Sequence, residues 1–222
     1  MLAVLLPGMD GTGRLFEPFV RELPPRVEAQ TVSYPPGVHL TYDQLADRVR
    51  GQLPPSQPYI IVAESYSGPV AVRLAARPVG DLRAMVLVAS FVSRPLGRWG
   101  GWIARLPWKA VFRLRPPRWA LRWLLMDAAT PSETVAALQA AIGLVRPSVL
   151  AARMREALRD DSTGAAMACR VRMVCLVAER DRLLRRRLSA CSEVVMVPAP
   201  HLLLQCAPGA AIAAMSGLGL LE

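Results

Sequence analysis

Lysine is almost absent from this chain, with Lys109 its single example, and histidine occurs only at His39 and His201. Two histidines and four cysteines, Cys169, Cys175, Cys191 and Cys206, offer no metal-ligand spacing and no C-x-x-C pair. Neither a metal site nor a dithiol motif is expected, and no cofactor is called for. The cysteines read as buried or idle thiols of a reducing compartment, which makes a cytoplasmic location the matching expectation. Long apolar runs are missing too: none approaches the roughly 20 residues of a spanning helix. The uncharged stretch 194–221 is broken by Pro198, Pro200, Pro208 and several glycines, so it is not read as a membrane helix. The first residues, Met1-Leu2-Ala3-Val4-Leu5-Leu6-Pro7, carry no basic leader and too short an apolar stretch for an export signal.

What is abundant is apolar and arginine-rich. Hydrophobic residues make up 53% of the 222, enough for one well-filled core but not for two independent catalytic domains. The formal charge of +10 is unevenly placed, because residues 91–126 hold eight basic residues and no acidic one. A nucleic-acid role fits the charge superficially, yet no nucleic-acid-binding motif accompanies it.

Short apolar runs alternate with helical patterns, the layout of parallel strands joined by crossover helices. Strands are expected at 2–6, 28–33, 59–63, 84–89, 171–177 and 194–197. Helices are expected at about 14–22, 41–53 with Thr41 as N-cap, 66–76 and 182–190, with a last one beginning near Gln205. The rhythm stops after Ser90 and resumes at Val171. The fold class is therefore α/β, a single domain over residues 1–222 with a mostly parallel sheet of about six strands covered by helices on both faces, and a helical cap insert at about 91–168.

The sharpest local feature is Tyr59-Ile60-Ile61-Val62-Ala63-Glu64-Ser65-Tyr66-Ser67-Gly68, a buried strand running directly into a helix. A serine at such a junction sits at the apex of a tight turn, its hydroxyl above the sheet, and Ala63 and Ser67 supply the small neighbours that the turn needs. The Tyr66 amide, at the helix start, is placed to bind a developing oxyanion. The pattern is A-x-S-x-S rather than G-x-S-x-G, and Ser65 as a plain helix N-cap remains the other reading. Residues Leu6-Pro7-Gly8-Met9-Asp10-Gly11-Thr12-Gly13 form a glycine-rich loop after the first strand, with the Met9 amide a second oxyanion donor or the whole loop a structural turn. It lacks the G-x-x-x-x-G-K-S/T pattern of a phosphate loop. Asp181 and His201 follow the fifth and sixth strands, at the sheet edge where ligands bind in open parallel sheets. Glu179 is a nearby rival acid.

With these residues in place the chain resembles the α/β-hydrolase superfamily over nearly its whole length. The loop 6–13 is similar to the first-loop motif of plant-type esterases, lipases and thioesterases and their bacterial relatives, and Glu64-Ser65-Tyr66-Ser67-Gly68 to their nucleophile turn. The resemblance implies that Ser65 attacks an acyl carbon, His201 takes its proton, Asp181 orients the imidazole, and the Met9 and Tyr66 amides hold the oxyanion. Relative to larger members, the expectation is a minimal sheet without the two leading antiparallel strands, beginning at the strand before this loop. The implied activity is hydrolysis of a carboxylic ester through an acyl-enzyme. Thioester hydrolysis, cleavage of an acyl-carrier-protein ester or acyl transfer would use the same triad, and a non-catalytic binding protein on the same scaffold is the rival class.

All five tryptophans, Trp99, Trp102, Trp108, Trp119 and Trp123, lie in the basic insert, with Trp119 and Trp123 on one helical face beside Arg118 and Arg122. They read as a lid over an acyl pocket. Two readings use the charge: docking on anionic lipid headgroups, or steering of an acidic acyl-carrier protein.

Overall fold

A strand covered on both faces has no polar side to alternate with, and all five residues of β1 (Leu2–Leu6) are apolar and buried. The computed structural model describes residues 1–114, 116–184 and 190–222. β1 lies inside a six-stranded sheet completed by β2 (Glu28–Thr31), β3 (Pro58–Glu64), β4 (Asp81–Val88), β5 (Arg172–Ala178) and β6 (Glu193–Val197). The order is β2-β1-β3-β4-β5-β6 and every pairing is parallel. The edge strand β2 mixes exposed and half-buried residues and β6 does so up to its last residue, buried Val197, whereas β1 and β3 to β5 carry the core.

The period-two alternation of side chains divides that core in two. Leu2, Val4, Leu6, Ile61 and Met85 face α2 (Tyr42–Arg50) and α3 (Gly68–Ala76), packing with Leu45, Val49, Val70 and Leu74. Ala3, Leu5, Ile60, Val62, Val86 and Val174 face the opposite layer, where α1 (Glu17–Glu22) contributes Phe19 and the C-terminal helices contribute Leu203, Ala211 and Met215. α2 starts at a capping box: Gln44 N donates to Thr41 Oγ1 at 3.3 Å and Thr41 N donates to Gln44 Oε1 at 2.9 Å.

Between β4 and β5 the chain is helical, with α4 (Gly100–Ile103), α5 (Trp108–Arg113), α6 (Arg118–Leu125), α7 (Ser132–Gly143), α8 (Pro147–Arg159) and α9 (Thr163–Met167). Two small cores hold it, one of Leu121, Met126, Val135 and Leu138 with Leu15 and Leu202, the other of Phe112 with Val145, Val149 and Leu150. Among the described residues no single helix is long and apolar enough to cross a membrane.

Several expectations need correction. β4 begins at Asp81, three residues before the expected start at Ala84, because Asp81 and Leu82 still pair with Pro58 and Tyr59 of β3 ahead of a local bulge, although charged Asp81 and Arg83 interrupt the apolar run. The last helix is two, α10 (Leu203–Cys206) and α11 (Pro208–Gly217), since Pro208 starts a new helix and cannot continue the old one. The helix expected at 182–190 falls largely on 185–189, outside the described residues. Cys175 and Cys191 are not idle thiols: they form a disulfide, with Cα atoms 5.9 Å apart, while Cys169 and Cys206 are free.

The connection from β3 to α3 packs closely against the segment after β4. A Cβ on Gly68 would collide with Ser90 Oγ and with the carbonyl oxygen of Phe91. Gly68→Ala is therefore expected to destabilise the protein by about 1–3 kcal/mol, overpacking outweighing the roughly 1 kcal/mol by which alanine favours a helix. Urea unfolding of the two proteins measures it.

Candidate active site

The chain runs from β1 outward to β2 and then crosses to β3 on the other side of β1, so the loops after β1 and β3 diverge at a topological switch point. Crevices for ligands open at such points, beyond the C-terminal strand ends. Ser65 lies there at the end of β3 with φ of 47°, one of two non-glycine residues of positive φ among the described residues, the other being Ala89. Left-handed backbone costs a side-chain-bearing residue roughly 1–2 kcal/mol and persists only where surroundings impose it. Here Ser90 Oγ donates to the Ser65 carbonyl at 2.6 Å and the Gly68 amide donates to the same oxygen, pinning the turn from two sides.

β5 and β6 carry the partners. His201 follows β6 and is 3% exposed; its Nε2 is 2.9 Å from Ser65 Oγ and its Nδ1 2.7 Å from Asp181 Oδ2. A carboxylate only accepts, so Nδ1 carries the ring proton and Nε2 is free to accept from the serine hydroxyl. The second oxygen of Asp181 accepts from the Leu183 and Leu184 amides at 2.7 and 2.9 Å, which leaves the carboxylate one orientation. Glu179 is exposed and Asp181 is the acid against the imidazole. The His201 loop is itself tied down: Arg180 N donates to Ala199 O at 3.0 Å and Leu202 N to Leu125 O, on α6, at 3.0 Å.

Ser67, the other serine of the turn, is fully buried, donates to Pro7 O and lies 2.6 Å from Tyr34 Oη. It ties the β3 turn to the loop after β1. In that loop Gly11 and Gly13 have φ near 70°, and Asp10 Oδ2 accepts from Thr12 N and Oγ1 at 2.8 and 2.5 Å. The Met9 amide finds no acceptor among the described residues, and Met9 and Tyr66 both border the cavity above Ser65.

That cavity, of about 270 Å³, is bounded by Ser65, His201 and Gly8 on the sheet side and by Phe91, Ile103, Trp108, Leu124, Leu138 and Leu150 above. Its walls are almost wholly apolar, as in ligand pockets generally, with polar groups converging on one end. Of the five tryptophans only Trp108 lines it. Among the described residues no His, Cys, Asp and Glu cluster has the make-up of a metal site.

Two residues to which the sequence pattern assigned no role organise this end of the molecule. Arg153, on α8, is 1% exposed; Nη1 donates to Met9 O and Asp10 O, each at 2.9 Å, and Nη2 to Pro35 O at 3.0 Å. Burial lowers its pKa, and the Tyr34 ring lies 5.7 Å from the guanidinium. The readable signal is a basic residue inside an apolar stripe, since Leu150, Arg153 and Ala157 share one helical face. Glu64, immediately before Ser65, is 2% exposed with Oε1 unpartnered, and Gln205 Nε2 donates to Oε2 at 3.3 Å. Burial first, then repulsion from Asp10, pushes its carboxyl up to about 8, the Gln205 bond acting the other way. It is mostly protonated at neutral pH, which keeps a negative charge away from the hydroxyl of its neighbour.

A scan against protein-family models and a search of curated proteins found no match. Solved structures do match. A bromoperoxidase from Bacillus anthracis superposes with a TM-score of 0.79 at 14% identity, covering 100% of this chain and 92% of its own. A hydrolase from Oleispira antarctica gives 0.78 at 12%, covering 98% and 90%, and a thermophilic esterase from Thermogutta terrifontis 0.77 at 19%, covering 98% and 89%. The chain has the α/β-hydrolase fold.

Two outcomes follow for the buried charges. A group held protonated by the fold favours the folded state below its unfolded value, 4.5 for Glu64, and that advantage is lost as pH rises to the folded value of about 8. At about 1.4 kcal/mol per pKa unit, wild-type stability should fall by a few kcal/mol relative to Glu64→Gln across that window, read from urea midpoints of both proteins. Arg153→Met should cost about 2–4 kcal/mol by leaving buried carbonyl oxygens unpaired, on the same measurement.

Proposed function

We propose that this protein is a serine hydrolase that cleaves carboxylic esters with Ser65, His201 and Asp181. The observation that carries the reading is the continuous chain Ser65 Oγ, His201 Nε2, His201 Nδ1 and Asp181 Oδ2, with links of 2.9 and 2.7 Å, opening into an apolar cavity from a strained serine turn.

In this reading the ester carbonyl lies over Ser65 with its acyl portion in the cavity. Ser65 Oγ attacks the carbonyl carbon while His201 Nε2 takes the hydroxyl proton, and the imidazolium is stabilised by Asp181, whose own lone pairs are already aimed by two amides. The Met9 and Tyr66 amides receive the oxyanion, and protonated Glu64 places no charge against it. Collapse expels the alcohol, which collects the proton from His201, and leaves an acyl-serine. Water then attacks the acyl carbon as His201 takes one of its protons, and collapse breaks the acyl–Ser65 bond, Oγ recovering that proton from His201 as the acid departs.

The same arrangement acts on thioesters, since only the leaving group changes. The apolar walls favour an uncharged acyl chain over a charged or sugar-like one. Turnover of p-nitrophenyl esters and acyl thioesters of graded chain length tests the reading. Ser65→Ala should lower kcat by on the order of 10⁴-fold or more and Asp181→Asn by roughly 10³–10⁴-fold, while exposed Glu179→Gln stays near wild type. Undiminished activity in Ser65→Ala would remove the proposed nucleophile.

A further inference from the structure

Four of the five tryptophans are not in the cavity. Trp99, Trp102, Trp119 and Trp123 are 60%, 68%, 73% and 63% exposed, and Leu106, Val111 and Leu114 beside them are exposed as well. Isolated apolar residues on a surface are ordinary, but four exposed indoles within residues 99–123 form a feature that water alone does not explain.

Their position relates them to the cavity mouth. Leu96 and Leu183 both line the cavity and are themselves exposed, so they mark its rim. Trp99 lies three residues beyond Leu96, and Trp102 adjoins Ile103 of the cavity wall. On the other side the guanidinium of Arg182, next to Leu183, lies 5.6 Å from the Trp123 ring, and Trp119 precedes Trp123 by one turn of α6. The exposed rings therefore belong to the two segments, 96–103 and 119–125, that also supply cavity-lining residues.

Charge accompanies them. Arg98 lies 5.3 Å from the Trp99 ring and Arg105 5.1 Å from Trp102, so cation and indole are presented together. Arg94, Lys109 and Arg113 are exposed, and no acidic residue occurs between 91 and 126. Arg118 and Arg122 also serve the fold, because Arg118 Nη2 donates to Ser132 O and Arg122 Nη1 donates to Ala128 O and Thr130 O, which ties α6 to the segment leading into α7.

We propose that this tryptophan and arginine rim docks on the surface of an anionic lipid bilayer. Indoles settle at the level of lipid headgroups, their apolar faces toward the chains and their N–H toward water, and guanidinium groups pair there with phosphate. A bilayer supplies both phases within a few ångströms, as paired rings and cations require. An acidic carrier protein would meet the charge but offers no apolar phase for four rings. Docked this way, the cavity mouth opens toward the membrane, and the substrate class is an acyl ester that resides in it. That last clause rests on the hydrolase reading, whereas the docking does not.

The test is partitioning of the 222-residue chain onto phosphatidylcholine vesicles with and without phosphatidylglycerol, by co-sedimentation and by the shift of tryptophan emission. Binding is expected to the anionic vesicles, to weaken as salt is raised, and to persist in Ser65→Ala, so that failure of the docking and failure of the active-site assignment are read separately. Combined Arg98→Gln, Arg105→Gln and Arg113→Gln should reduce partitioning roughly 100-fold, at about fivefold per basic residue, and Trp102→Ser with Trp119→Ser should reduce it too, with unfolding midpoints unchanged in both. No partitioning, equal partitioning to both vesicle types, or a complex with an acidic acyl-carrier protein in the absence of vesicle binding would overturn the proposal.

Discussion

Everything at this site depends on one strained residue. Ser65 is held at φ of 47° because β3 passes into the following helix without a linker, and the turn survives because its carbonyl is gripped by Ser90 Oγ and the Gly68 amide. That grip requires the helix to approach the segment after β4 so closely that Gly68 has no room for a Cβ. It also requires the loop after β1 to be fastened from the other side, which Ser67 does through Pro7 O and Tyr34. Strain of roughly 1–2 kcal/mol at one serine is thus offset by three neighbouring segments, and its result is a hydroxyl directed at an imidazole rather than into the helix.

The polar groups around this turn are buried to an unusual degree, and each has a consequence for the cavity end that they surround. Arg153 spans from the helical insert to the carbonyls of Met9 and Asp10, so the insert and the loop after β1 form one unit although 144 residues separate Arg153 from Met9. Removing a buried cation that holds several carbonyls leaves those acceptors dry, which is why a surface-like residue type becomes structural here. Glu64 is the complementary case. Its carboxyl is buried with one oxygen unpartnered, and the fold tolerates it by keeping it protonated over most of the neutral range. The insert contributes the cavity roof through Ile103, Trp108, Leu124 and Leu138, while its outer surface keeps four indoles in solvent.

The sheet was legible because strands covered on both faces read as unbroken apolar runs, and Leu2–Leu6 coincides in the sequence pattern and in the structure. Legibility ended where backbone pairing outran side-chain character. The stretch 81–83 joins β4 although Asp81 and Arg83 are charged, and β2 stops at Thr31 rather than Ser33. The Cys175–Cys191 disulfide was not legible either, since 16 residues separate the pair in the chain and strand order alone brings them together. At the candidate site the sequence locates Ser65, Asp181 and His201 beyond three strand ends but says nothing of the distances between them. Those distances follow from the order β3-β4-β5-β6, a long-range property. Arg153 was hidden by its company, one arginine among many, distinguishable only by its place in the apolar stripe of α8.

The central claim is that Ser65 is the residue that becomes covalently bonded to the substrate's acyl group. Incubation of the protein with an alkyl fluorophosphonate, followed by intact mass and peptide mapping, addresses it directly, because the reagent phosphonylates a serine only when a neighbouring base activates it and amides stabilise the developing charge. A single adduct on Ser65, abolished in His201→Ala, is the result the account predicts. An adduct on Ser67 or another serine, or no adduct on the folded protein, would contradict it.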